Sequence, residues 1–175
     1  MQKIKNNFSF ILILIVVFLT ALIIVFMFLP AIKYSSGGNI IRLRASELAF
    51  GDIESDRDIL IASGKIQIPH QPLILIAFLL PLIVSMITIF VHVISEKKSY
   101  IMPTILILTL SYSLVITIII RVISTYKIDG IYHNFTKFRY CYTFYFLILI
   151  EVIALALSII YAVLRNKYNT VKKFF

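Results

Sequence analysis

The chain has no tryptophan and a single cysteine, Cys141, so it can form no disulfide within itself, and cysteine usage leaves the redox compartment open. Charge is scarce as well. Only 14% of residues are charged and eight are acidic, five of these (Glu47, Asp52, Glu54, Asp56 and Asp58) falling in one segment. The three histidines, His70, His92 and His133, stand in separate segments without the spacing of metal ligands. The sequence has no Ser/His/Asp set, no phosphate-binding glycine loop and no H-E-x-x-H motif. Without these parts the expectation is a chain that is not an enzyme and uses no cofactor.

What the chain has in abundance is apolar surface: 61% of its residues are hydrophobic and the mean hydropathy is +0.99. A helix needs roughly 20 mainly apolar residues to cross a hydrocarbon layer about 30 Å thick. Four segments reach that length, at about 8–30, 73–95, 101–123 and 140–164. Phe8 to Pro30 carries no charge, Leu73 to Ser95 holds only His92 among titratable residues, the third run is closed by Arg121, and the fourth is interrupted by Glu151. The first run exceeds the 7–15 residues usual for a signal peptide, so we read it as an uncleaved span. The predicted fold class is an all-α membrane protein, a four-transmembrane-helix bundle in a single membrane domain.

The net charge of +9 does not point to nucleic acid, because the basic residues flank the spans and form no single patch. Lys3, Lys5, Lys97, Lys98, Arg165, Lys167, Lys172 and Lys173 crowd the short segments 1–7, 96–100 and 165–175. Lys33, Arg42, Arg44, Arg57, Lys65, Lys127, Lys137 and Arg139 are spread over the longer segments 31–72 and 124–139, and Arg121 stands at the adjoining end of the third span. Basic density near span ends favours the cytoplasm, so both termini are expected there, in a plasma membrane. The basic stretch from Arg165 to Lys173 would then face anionic headgroups.

Prolines mark the boundaries. Pro30 is expected to close the first helix, Pro72 and Pro103 to open the second and third, and Pro81 to kink the second from within. In the long first outer loop, Ser35 to Gly38 reads as a flexible bend. Asn39 to Arg44 and Lys65 to Ile68 both alternate as strands do, so these two are expected to pair antiparallel in a small hairpin or sheet, with a short helix around Ser46 to Phe50 between them. The second outer loop is cationic and aromatic. Its Tyr126, Tyr132, Phe135, Phe138 and Tyr140 read as an interfacial anchor, and Asn134-Phe135-Thr136 forms a glycosylation sequon, relevant only on a eukaryotic secretory route.

The most informative pattern is polar. Thr109, Ser113, Thr117 and Arg121 recur every four residues on the third span and continue to Ser124. Ser85, Thr88, His92 and Ser95 share one face of the second. Glu151, Ala154, Ser158 and Ala162 share one of the fourth, while the first span has little beyond Thr20 and is expected to be mostly an apolar anchor facing lipid. Polar groups avoid hydrocarbon, so these stripes should converge inside the bundle, where hydroxyls hold helices together at about 0.6 kcal/mol per contact. Glu151 stands out, because a charge at the middle of a span costs at least about 2.5 kcal/mol and an intramembrane acid is a functional candidate by default. Mirroring the last two spans about their loop sets Glu151 level with Tyr112 and Ser113 and places Arg121 on the order of 13 Å further along. The candidate intramembrane polar site is therefore Glu151, Tyr112, Ser113, Thr117, Arg121, Ser85, Thr88 and His92.

Phe28-Leu29-Pro30, followed by Leu48-Ala49-Phe50-Gly51 within four spans and a long first outer loop, resembles small four-helix membrane proteins of low-GC bacteria. That resemblance implies a bacterial plasma-membrane protein and implies no activity. The layout also looks like that of claudin-type proteins, but the first outer loop lacks their tryptophan and cysteine pair, so no junctional role carries over. The leading expectation is a structural, scaffolding or partner-binding membrane component that contacts lipid and another membrane protein or a second copy of itself. The alternative is a small transporter or proton-linked channel subunit using Glu151.

Overall fold

Backbone N–H and C=O groups have no water to bond inside hydrocarbon, so long apolar runs satisfy them by coiling into helices. The computed structural model describes residues 2–36, 39–51, 68–94, 101–128, 131–135 and 138–171. In chain order its elements are α1 (Gln2–Met27), β1 (Pro30–Ser36), β2 (Asn39–Arg44), α2 (Ala45–Phe50), α3 (Pro72–Ile94), α4 (Ile101–Ile123), β3 (Thr125–Ile128), β4 (Ile131–Asn134), β5 (Arg139–Tyr140) and α5 (Tyr142–Val171). Among the described residues, four stretches are long and apolar enough to cross a membrane: Asn7–Met27, Pro72–Ile94, Ile101–Ile123 and Tyr142–Arg165. The chain is thus a multi-pass membrane protein by the length and composition of its helices.

α1 packs against α3 and α5, and α4 packs against the same two, so the long helices stand at the corners of a square in the order α1, α3, α4, α5. Each turns bulky apolar side chains outward, among them Phe18, Phe90, Leu108 and Phe146, all exposed and suited to lipid. The interior is closed by fully buried groups such as Ile13, Phe78, Leu106 and Leu147. α1 is a full member of this core. Its Ser9, Leu12, Ile13, Val16, Thr20, Ile23 and Met27 are all buried at helical spacing, which corrects its reading as a mainly lipid-facing anchor.

The first helix also ends earlier than Pro30. Phe28 and Leu29 donate to the carbonyls of Val25 and Phe26, tightening the last turn, and Pro30, which has no N–H to give, becomes the first residue of a strand. Pro72 does open α3, and Pro81 lies buried inside that helix. α4 begins just before Pro103.

One end of the bundle is capped. β1 pairs antiparallel with β2, from Pro30 opposite Arg44 to Ser36 opposite Asn39, and its other edge pairs with β5 through Ile32 with Tyr140 and Lys33 with Arg139. The strand at Asn39–Arg44 therefore exists, and one of its edges pairs with the segment just before it. Only Gly37 and Gly38 separate the two in sequence, a short connection suited to a hairpin. Lys65 to Gln67 lie outside the described residues. The expected short helix is α2, where Glu47 accepts a hydrogen bond of 2.8 Å from the Arg44 N–H at its start and Leu48 and Ala49 are buried against the bundle. Gly51 follows at φ 75°, and a β-carbon there would come within 2.8 Å of the Ile68 carbonyl oxygen, so the backbone approach requires glycine.

β3 and β4 form a second antiparallel pair, from Thr125 opposite Asn134 to Ile128 opposite Ile131. Its aromatic residues divide in two. Tyr126, Phe135 and Phe138 are buried against one another with ring centroids 4.7 to 6.0 Å apart, so for these three the small core of the cap replaces the expected interfacial anchor. Tyr132 remains exposed, with the Lys127 ammonium 4.5 Å over its ring.

An intramembrane carboxyl as candidate functional site

Residues three and four apart on a helix share a face, and Glu151, Ala154, Ser158, Tyr161 and Arg165 follow that spacing along α5. All five are buried. On α4 the same rule places Thr109, Ser113 and Thr117 inward, while Arg121, one turn further on, is only partly buried. The α4 and α5 stripes meet at the acid. Ser113 Oγ donates to Glu151 Oε1 over 2.7 Å and Thr117 Oγ1 donates to the same oxygen over 3.0 Å. Glu151 is 0% exposed, and its second oxygen, Oε2, has no hydrogen-bond partner among the described residues.

This half-satisfied carboxyl follows from elementary accounting. Oε1 already accepts two hydrogen bonds, so a carboxyl proton belongs on Oε2, where it finds no acceptor. Without that proton, Oε2 shares a negative charge and finds no donor. Either form leaves a buried polar atom unsatisfied, at a cost of about 1–3 kcal/mol for the neutral acid and more for the carboxylate. A carboxyl selected only to join α4 to α5 gains nothing from that second oxygen.

The remaining candidates are arranged around this centre. Ser85 of α3 meets Thr20 of α1 over 2.9 Å, and each hydroxyl also lies 2.9 Å from a carbonyl of its own helix, Leu82 and Val17 respectively. Two protons serve three contacts, so one helix carbonyl yields whenever the interhelical bond forms. Thr88 is buried and donates to Val84. His92 Nδ1 and the Tyr161 hydroxyl share a hydrogen bond of 3.0 Å, with Phe10 packed beside the imidazole. Sequence reasoning did not single out Tyr161, although its place on the Glu151 face was legible from spacing alone.

Two candidates stand apart from the acid. Tyr112 is half-buried, and its hydroxyl lies 3.5 Å from the Leu73 carbonyl, away from Glu151, because it sits one residue, about 100°, off the Ser113 face. Arg121 holds its guanidinium 4.6 Å over the Tyr140 ring, and the Tyr140 hydroxyl donates to the Ile118 carbonyl over 2.6 Å. Burial pushes the Tyr140 hydroxyl above its ordinary pKa, a rise the Arg121 charge partly offsets. Burial likewise raises the Cys141 thiol. Ser124 is buried at the end of α4, and Ser95 lies outside the described residues.

No group of three or more His, Cys, Asp or Glu side chains suited to a metal ion occurs among the described residues. Comparisons with protein-family models, curated proteins and solved structures give no match for this chain.

Proposed function

We propose that this membrane protein is a small proton-linked transport component, either a transporter or a channel subunit, that works through Glu151. The observation that supports this reading is the fully buried carboxyl with one oxygen held by Ser113 and Thr117 and the other left without a partner. A site whose charged and neutral forms are both imperfectly satisfied is poised to change between them, whereas a purely structural link is best fully satisfied in one form. Proteoliposomes holding the purified chain and a trapped pH indicator test this directly. An imposed pH gradient should collapse faster than in empty vesicles, and Glu151→Gln, which keeps hydrogen bonding and removes titration, should slow the collapse by about tenfold or more. Equal rates for the two forms would overturn the reading.

A second reading, that of a scaffolding or partner-binding component, draws support from the cap. Connections between bundle helices usually need about 2–8 residues, and connections much longer than about 15 tend to carry function. Here 44 residues separate Met27 from Pro72, and they include two paired strands and a helix fixed to the bundle by backbone bonds such as Gln71 N–H to the Ala49 carbonyl. Exposed Phe28, Leu29 and Phe50 lie at this capped end and suit a second membrane protein or another copy of the chain. Crosslinking in membranes followed by extraction in mild detergent should recover a complex, and a lone monomer throughout would count against the partner. In either reading we place both termini in the cytoplasm of a bacterial plasma membrane, on the density of basic residues at that end.

A further inference from the structure

The buried faces of the four long helices differ between the two halves of the bundle. From Glu151 toward the cap the buried side chains are mainly apolar: Ile23 of α1, Phe78 of α3, Ile120 of α4, and Phe144 and Leu147 of α5 are each no more than 1% exposed, while Ser124 and the Nε of Arg121 are buried polar groups nearer the cap. Thr117 is the buried hydroxyl between these groups and the acid, and it is bonded to the acid itself. From Glu151 toward the opposite end, where α1 begins and α5 finishes, the buried groups include Thr88, His92, Thr109, Ser158, Tyr161 and Arg165. Leu106 and Leu110 share that half, so the polar groups form a strip and not a lined pore.

The strip reads outward along α5. Ser158 lies roughly 10 Å from Glu151 along the helix and Tyr161 roughly 15 Å. Tyr161 is bonded to His92, and Arg165 stands one turn beyond. The hydroxyls of Thr88, Thr109 and Ser158 donate to carbonyls of their own helices, at Val84, Leu106 and Ala154. Each can accept through its oxygen lone pairs, and each passes its own proton onward by turning away from that carbonyl. Among the described residues of α4, no buried hydroxyl lies between Thr117 and the end of the helix.

We propose that Glu151 exchanges its proton with one aqueous phase only, the phase at the end where α1 begins and α5 finishes, along the strip marked by Ser158, Tyr161 and His92, while the packed apolar half insulates it from the other phase. This inference rests on the reading of Glu151 as a proton site and adds the direction of access. The exchange is a simple protonation: the carboxylate gains a proton from that phase and the acid returns it there. Among the described residues, the titratable and charged side chains buried in this half are His92 from α3 and Tyr161 and Arg165 from α5. Among its described side chains, α1 contributes Ser9 and Thr20, which do not titrate, and α4 contributes Thr109 and Ser113. Arg121 of α4 belongs to the capped end, over Tyr140. The exchanged ion is assigned as the proton because the strip is marked by hydroxyls and an imidazole, which carry protons, and no group of three or more His, Cys, Asp or Glu side chains suited to a metal ion occurs among the described residues.

Dicyclohexylcarbodiimide, which partitions into membranes and adds to protonated carboxyls, supplies the test. The full chain is reconstituted into vesicles, its orientation is read from protease access to a C-terminal tag, and the pH on each side is set separately. Modification of the Glu151 peptide is followed by mass spectrometry, with Glu151→Gln as the blank. Raising the pH from about 5 to about 9 on the α5-end side should cut modification about tenfold, and the same change on the capped side should alter it less than about twofold. Exchanging potassium for sodium should leave the rate unchanged. Modification that follows the capped side, or both sides equally, would overturn one-sided access and leave the proton site standing. Protection by sodium would overturn the assignment of the ion. Modification indifferent to pH on both sides, or none at all, would overturn the proton site and the inference together.

Discussion

Lysine at position 151 is expected to prevent stable assembly of the bundle, whereas glutamine there leaves it intact. The site is 0% exposed and its immediate polar neighbours are the Ser113 and Thr117 hydroxyls, which both donate toward position 151. An ammonium group has three donors and no acceptor, so it meets two donors that must turn away, and it carries a charge costing at least about 2.5–3.5 kcal/mol at mid-membrane depth. Glutamine keeps an oxygen for both hydroxyls and places an NH2 group where Oε2 now lacks a partner, so its effect should stay within about 1 kcal/mol. Leucine should lie close to glutamine. It removes the shared acceptor, but Ser113 and Thr117 then fall back on carbonyls of their own helix, as Thr109 already does with Leu106, and the loss of about 0.6 kcal/mol for each interhelical contact is offset by removal of the unsatisfied Oε2. Thermal unfolding in detergent should place glutamine and leucine within about 1 kcal/mol of each other and lysine well below both. A lysine variant as stable as the parent would mean that water reaches the site freely.

Phe78→Ala should be the most damaging single truncation of the apolar half. Phe78 is 0% exposed on α3, in the half of the bundle that Ile23, Met27, Ile74 and Leu147 also fill. Lipid tails are as apolar as these side chains, so transfer from water contributes little here and the stability comes from close packing. Removing a ring from a packed interior leaves a cavity and costs about 3 kcal/mol or more, while Phe78→Leu, which keeps most of the volume, should cost less than about 1.5 kcal/mol. Denaturation followed by a cysteine-accessibility assay on Cys141, itself buried, would measure both. Equal losses for alanine and leucine would show that the site is loosely packed. The alanine variant should also let the modification of Glu151 respond to pH on the capped side.

How much of this was legible in the sequence depends on the range of the forces involved. The four spans follow from local composition, because the hydrocarbon thickness sets one length requirement that each segment meets or fails by itself. The inward faces follow from spacing, so Ser113, Thr117, Ser85, Thr88 and His92 were recognisable as interior residues before any partner was known. Partners were harder. The meeting of Ser113 with Glu151 could be read by folding α4 against α5 about a short connection, but Thr20 with Ser85 and His92 with Tyr161 join helices far apart in the chain. β1 was hidden because Pro30 and the serines near Gly37 look like a bend. Alternation then identifies a strand at Asn39–Arg44 without identifying what it pairs with. Tyr161 was missed because a tyrosine near a span end ordinarily reads as an interface residue. Its register with Glu151 through Ala154 and Ser158 was the signal that distinguished it.

The seam between β1 and β5 sets an order for the protein's biogenesis. β1 follows the first span and β5 immediately precedes the last, and their pairing is reinforced by the Cys141 N–H to the Ala31 carbonyl and by the Thr143 hydroxyl to the Pro30 carbonyl. More than a hundred residues must be translated between the two strands, so the first helix waits in the membrane with one edge of its strand unpaired until the last arrives. A chain truncated before Arg139 would keep three helices and leave the cap unclosed, with Ser113 and Thr117 still without their carboxyl. Closure of the cap and completion of the buried acid site are therefore a single late event in the making of this protein.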